Sequence, residues 1–221
     1  MASEAHVETL ALREQFDTEA QQNDASTLGM WVFLLTEIMF FGGLFMMYTV
    51  YRAVYPNVFG LASSTLNEII GAANTAVLLC SSFTMVLAVR GAQLGKRRTV
   101  MLFLVLTIIL GLVFLGIKGF EWNQKFQEHH VPGPGFHLEG TALQGQAQLF
   151  FSLYFAMTGL HALHMVIGCG LMLYLLWKTY QGTYSPDYYT PIDMGGLYWH
   201  FVDIIWIFLF PLLYLIDRHL K

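Results

Sequence analysis

The sequence predicts an all-α fold: a polytopic transmembrane bundle of five helices. Three observations carry that expectation. Hydrophobic residues make up 56% of the 221 residues. Charged residues make up only 12%, about half the roughly 25% typical of soluble domains. The apolar residues fall in five runs, each near the roughly 20 residues a helix needs to cross a hydrocarbon core of about 30 Å.

Residues 1–27 read as a polar, acidic tail with some helical character. Glu4, Glu8, Glu14, Asp17, Glu19 and Asp24 stand against the single base Arg13. A cleavable signal peptide needs a basic start and a short apolar core, and neither is visible here. The bundle is expected over 28–218.

Its first span is expected over Leu28–Tyr51 and its second over Ile69–Val89. The third covers Val100–Phe120, the fourth Gln148–Trp177 and the fifth Gly195–Ile216. The fourth is longer than the bilayer requires, so it should tilt or emerge. Pro211, late in the fifth, predicts a local kink rather than a helix end.

Orientation rests on one cluster. Arg90, Lys96, Arg97 and Arg98 crowd the loop between the second and third spans, and the positive-inside rule makes that loop cytoplasmic. The N-terminus is then cytoplasmic as well. Lys178 agrees; Arg52, Lys118, Lys125, Arg218 and Lys221 fall on the opposite side. The longest connection, 121–147, contains Val131-Pro-Gly-Pro-Gly135, which suits neither helix nor strand. It is expected to cap the outer end of the bundle.

Ionisable residues inside a membrane are costly and call for a reason. Glu37 lies ten residues into the first span with no base nearby in sequence. It should be protonated, hydrogen-bonded to another helix, or turned toward a neighbouring subunit. Its two readings are a group that shapes the proton environment and a carboxyl that ties two helices together. His161 and His164 are three apart in the fourth span and should share a helix face. His200 and Asp203 repeat that spacing in the fifth. Histidines on two helices are a pattern that b-type haem can use. The plainer reading is interhelical hydrogen bonding, with His164 or His200 meeting Asp203. Asn74 should donate across helices, and Glu121 and Trp122 close the third span at the interface.

Several function classes are excluded or unsupported. A net charge of −4 gives no case for nucleic acid. Cys80 and Cys169 are too far apart for a CxxC site and read as small buried residues. His129, His130 and His137 lack a metal-ligand spacing and read as a solvated loop. No phosphate loop, HExxH, CxxCH or Gly-x-Ser-x-Gly motif occurs, so no catalytic residue and no metal site is expected in this chain.

Five motifs, in order and on separate spans, resemble subunit III of the haem-copper oxidases, the cytochrome c oxidase subunit III family. Tyr198-Trp-His-Phe-Val-Asp-Ile-Ile-Trp206 is similar to the family's final helix. Thr158-Gly-Leu-His-Ala-Leu-His-Met-Val-Ile-Gly168 resembles its TGxHGxHVxxG, with Ala162 replacing a glycine. Glu37-Ile-Met-Phe-Phe41 is similar to SExxFF, and Asn74-Thr-Ala-Val-Leu-Leu79 to LNTxxLL. Leu110 through Trp122 resembles LGxxFxxxQxxEY, with Lys118 in the glutamine place. The resemblance covers nearly everything from Leu28 to Tyr214. The chain lacks the first two helices of the seven-helix form and is similar to the short five-helix bacterial form.

The resemblance implies a subunit with no haem, copper or other cofactor of its own. Haem and copper would belong to subunit I, the catalytic partner, with subunit II in the same complex and phospholipid around it. The enzyme as a whole would reduce dioxygen with electrons from cytochrome c or quinol and pump protons. This chain would stabilise subunit I and support proton uptake, in the inner (plasma) membrane of a bacterial cell. Asn74, Glu121, His161, His164, His200 and Asp203 become packing, lipid or subunit contacts, and Glu37 a proton-environment group. The alternatives are a haem b-binding membrane anchor that carries electrons and an accessory subunit of a nitric oxide reductase.

Overall fold

The computed structural model describes residues 15–186 and 188–215. Among them are six α-helices and no strand. They are α1 (Glu19–Val54), α2 (Pro56–Ser64), α3 (Glu68–Gln93), α4 (Arg97–Gln127), α5 (Gln144–Gln181) and α6 (Thr190–Tyr214). All but α2 are long and apolar enough to cross a membrane.

Every spanning helix begins before its apolar run, and in α1 and α3 a polar cap sets the start. Thr18 caps α1 by accepting from the Gln21 amide, so the helix starts well inside the acidic stretch. Asn67 caps α3, accepting from Ile69 and Ile70. Such caps satisfy amides that have no partner inside the helix. α5 ends on Gly182, whose φ of 79° is easily adopted only by glycine. α6 continues past Pro211 to Tyr214, so the proline does not end the helix.

The short helix α2 was not expected. Pro56 stands in its first turn, where a missing amide hydrogen costs nothing. Phe59, Ala62 and Ser63 are buried, and the Ser63 hydroxyl donates to the Leu213 carbonyl at 2.7 Å. The connection after the third span is shorter than expected, because α4 runs on to Gln127. Val131–Gly135 is bend and turn, as its prolines and glycines require.

Helices α3, α4, α5 and α6 pack in a ring: α3 on α4, α4 on α5, α5 on α6, and α6 back on α3. α1 lies outside, against α5 and α6, and is the least buried span; α6 is the most buried. Bilayer hydrocarbon is as apolar as leucine, so close packing and interhelical hydrogen bonds must hold such a ring together. Trp199 on α6 shows both. It is wholly buried, and its indole donates to Ser81 Oγ on α3 at 3.1 Å. A Cβ at Gly111 on α4 would come within 2.7 Å of the ring, and one at Gly168 on α5 within 3.1 Å. One side chain therefore contacts all three other helices of the ring. A second hydroxyl bond, Thr84 to Thr107 at 2.7 Å, joins α3 and α4. Cys169 is buried nearby. Cys80 is exposed on α3, contrary to the expectation that both cysteines are buried.

Candidate functional site

The ionisable groups of the spans sort into separate clusters, and the three histidines take three different partners. His161 and His164 do not share a face in any useful sense. Three residues turn a helix by about 60° less than a full circle. For a helix touching several others, that suffices to aim the two rings at different neighbours. His161 points into the ring, edge-on to Phe114 with centroids 5.3 Å apart and 5.1 Å from Trp206. It is 1% exposed, and neither ring nitrogen has a hydrogen-bond partner among the described residues. His164 turns outward to α1. His200 Nδ1 bonds Ser82 Oγ on α3 at 2.7 Å.

Glu37 meets His164. Its carboxylate oxygen lies 3.2 Å from His164 Nε2, and the two side chains are 19% and 11% exposed. Glu37 is thus bonded to another helix, as expected, but at the flank of the bundle instead of deep inside it. The other ring nitrogen, Nδ1, lies 2.9 Å from the Leu160 carbonyl. A carbonyl only accepts, so Nδ1 carries its hydrogen. The contact between Nε2 and the carboxyl then needs one further proton, on the acid or on the ring. In either form the pair is neutral overall, which suits its place in a membrane.

Asp203 meets neither histidine, contrary to expectation. His200 and Asp203 lie on adjacent turns of α6, but His200 is taken by Ser82 and His164 by Glu37. The Asp203 carboxyl is 3% exposed, and it faces the same Ser82 hydroxyl that His200 bonds. Asn74 behaves as expected and crosses to α4, its amide donating to the Phe114 carbonyl at 3.5 Å.

The densest cluster was only half legible. Glu121, expected to close the third span at the interface, is 3% exposed and sits at the centre of a buried quartet. Lys118 Nζ donates to Glu121 Oε2 at 2.9 Å and to Tyr214 OH at 2.8 Å. Tyr154 OH donates to Glu121 Oε1 at 2.9 Å, and Tyr214 OH donates to the same oxygen. The ammonium lies 4.9 Å from the Trp206 ring centre. The ion pair lies within α4; the Tyr154 hydroxyl ties it to α5, and the Tyr214 hydroxyl and the Trp206 face tie it to α6. A lysine three residues before a glutamate near the end of an apolar helix was the available signal. Tyr154 and Tyr214 gave none.

At the end of α4, Lys125 donates to Glu128 at 2.6 Å. His130 lies 3.1 Å from the same carboxylate oxygen and stacks on Phe151, so it is packed and not solvated. Burial alone would raise the Glu128 carboxyl; the bond from Lys125 and its charge outweigh that and hold it below its ordinary 4.5. Burial, with the Lys125 charge, pulls His130 below its ordinary 6.5. Both groups bind fewer protons folded than unfolded, so both stabilise at higher pH. The His130 contribution is complete above 6.5 and the Glu128 contribution above 4.5; each is lost as pH falls through its lowered value. Amide exchange around 124–138, corrected for intrinsic rate, should therefore speed up as pH falls below 6.5 and again as it falls below 4.5. Glu128→Gln should remove the second step. Equal protection at neutral and acid pH would contradict this.

Among the described residues, no three His, Cys, Asp or Glu side chains gather where they could hold a metal ion. A haem held between two histidines needs rings facing one gap; the rings of His161, His164 and His200 face Trp206, Glu37 and Ser82.

The family model described as cytochrome c oxidase subunit III matches residues 14–217. Cytochrome c oxidase subunit 3 of Thermostichus vulcanus is 30% identical over 203 residues, 91% of this chain and 92% of that protein. The probable cytochrome c oxidase subunit 3 of Nocardia farcinica is 32% identical over 86% of this chain and 87% of its own length. Its counterpart in Mycobacterium leprae is 33% identical over the same shares.

Proposed function

The chain belongs to the cytochrome c oxidase subunit III family, and from that premise we propose that it steadies the catalytic subunit of its oxidase without carrying a redox centre. It is subunit III of a haem-copper oxidase, a multi-pass membrane protein within an oxidase complex. Its partners in this reading are subunit I, which holds haem and copper, and subunit II. In this reading the oxidase translocates protons and its membrane is the inner membrane of a bacterium; the matched relatives are bacterial proteins. The basic loop and N-terminus face the cytoplasm by the positive-inside rule. Of the bases on the other side, Lys118 and Lys125 are buried in the bundle.

The observation that carries this reading is the divergence of the histidines. His161, His164 and His200 each take a separate neighbour, which supports a chain that holds no haem between facing rings. The polar groups instead tie helix to helix: Glu37 to His164, Asn74 to Phe114, His200 to Ser82. A bundle held in this way offers a rigid flank against which subunit I and its lipids can be ordered.

In this reading Glu37 shapes the proton environment and does not carry pumped protons, its carboxyl being held by His164 at the flank of the bundle. Glu37→Gln keeps a donor toward Nε2 and should leave assembly intact, with only a modest change in turnover. Glu37→Ala loses the bond, worth about 0.5–1.5 kcal/mol, and should loosen α1. Turnover and proton release of the reconstituted oxidase check this; complete loss of pumping in Glu37→Gln would contradict it.

A further inference from the structure

A groove of about 280 Å³ opens between the end of α3 and the start of α6. Its position along those helices is informative. Arg90 and Gln93 lie in the last turn of α3, and Asp193 in the first turn of α6. From there the walls become apolar, with Val86, Val89 and Leu197. The groove reaches His200, seven residues or about 10 Å beyond Asp193 along the helix. It is therefore polar at the membrane boundary and apolar below it.

Its two charges are opposite in sign, yet they do not close on each other. Arg90 spends a guanidinium nitrogen on Gln93 Oε1 at 3.1 Å. Neither Arg90 nor Asp193 forms an ion pair with any described residue. A cation and an anion that line one groove without meeting suit a ligand bearing both charges. An amphiphile is required, because the groove opens along the flank of spanning helices. Its volume lies just below the roughly 300–1,000 Å³ of pockets that take a drug-sized molecule. It has room for a headgroup and the first methylenes, with the acyl chains lying along the outside of the bundle.

We propose that this groove binds one phospholipid with a zwitterionic aminophosphate headgroup, its phosphate on Arg90 and its ammonium on Asp193. Arginine suits the phosphate because its planar fork offers two parallel donors. Asp193 disfavours purely anionic lipid, whose headgroup could place its phosphate on Arg90 but has no cation to offer the carboxylate. The selectivity thus comes from a carboxylate that only the zwitterion can pair. The site rests on the chain spanning a bilayer and does not depend on how the oxidase uses this subunit.

The test uses the whole oxidase, reconstituted in phosphatidylglycerol vesicles with a trace of photoreactive phosphatidylethanolamine or photoreactive phosphatidylglycerol. Labelled peptides are located by mass spectrometry. The ethanolamine probe should label 86–93 and 193–200, and Arg90→Gln should lower that labelling at least about fivefold. Asp193→Asn should lower ethanolamine labelling similarly and raise glycerol labelling, an inversion that a misfolded groove would not produce. Lys178→Gln, at the same membrane end but off the groove, should change neither. Equal labelling by both probes in the unsubstituted oxidase would overturn the proposal. So would labelling indifferent to Asp193, or a groove reached by neither probe and cross-linked instead to another subunit.

Discussion

Glu121→Ala should destabilise the bundle by about 3–5 kcal/mol, the cost of leaving a buried charge without its partner. Lys118 is 3% exposed and cannot reach water by a small movement. Its remaining contacts are the two tyrosine hydroxyls and the face of Trp206. The hydroxyls of Tyr154 and Tyr214 would lose their shared acceptor at the same time. The effect should be strongly non-additive. A buried ion pair is often no better than apolar residues of the same size, so Lys118→Met combined with Glu121→Ala should recover much of the loss. Unfolding of the purified subunit in mixed micelles would measure both. If the single substitution costs under about 1 kcal/mol and the second recovers nothing, the quartet is hydrated and does not tie α4 to α5 and α6.

Trp199→Ala should cost about 3 kcal/mol, near the lower end for a buried aromatic. The lower end is chosen because bilayer hydrocarbon offers no hydrophobic transfer gain; what is lost is packing and one hydrogen bond. The ring fills the space left by Gly111 and Gly168, and small residues elsewhere in the ring cannot move in to replace it. Gly111→Val tests the same contact from the other side. Its added carbons would meet the indole edge, and overpacking of this kind costs about 1–3 kcal/mol. Trp199→Phe should retain part of the packing while losing the bond to Ser81. Should Trp199→Ala melt like the unsubstituted protein, the ring of four helices would not depend on this contact.

How far the sequence could be read follows from which forces act along the chain and which act across it. The five spans were legible because crossing a bilayer imposes a length of apolar residues that nothing else in the sequence imitates. Helix ends were not, because Thr18, Asn67 and Gly182 act through local backbone geometry that apolar runs do not reflect. Helix α2 has nine residues, too few to show a period. Glu37 was legible as a membrane acid needing a partner on another helix; that the partner is His164 depends on how α1 lies against α5. The His161 and His164 spacing suggested one shared face, but in a ring of helices a modest rotation changes the neighbour completely. By sequence Lys118 is one of the bases toward the outer side, at the end of the third span. Its burial depends on Tyr154 and Tyr214, residues 36 and 96 positions away.

The most direct test is optical. An affinity tag on this chain would be used to isolate the complex from its membrane. The chain would then be separated from its partners, and haem measured in both samples by the pyridine haemochrome spectrum. The expected result is haem in the complex, together with a haem-copper catalytic subunit, and a colourless separated chain. Haem at one per polypeptide on the separated chain would contradict the reading of its histidines. Recovery of the tagged chain without any haem-copper partner would contradict its place in the oxidase.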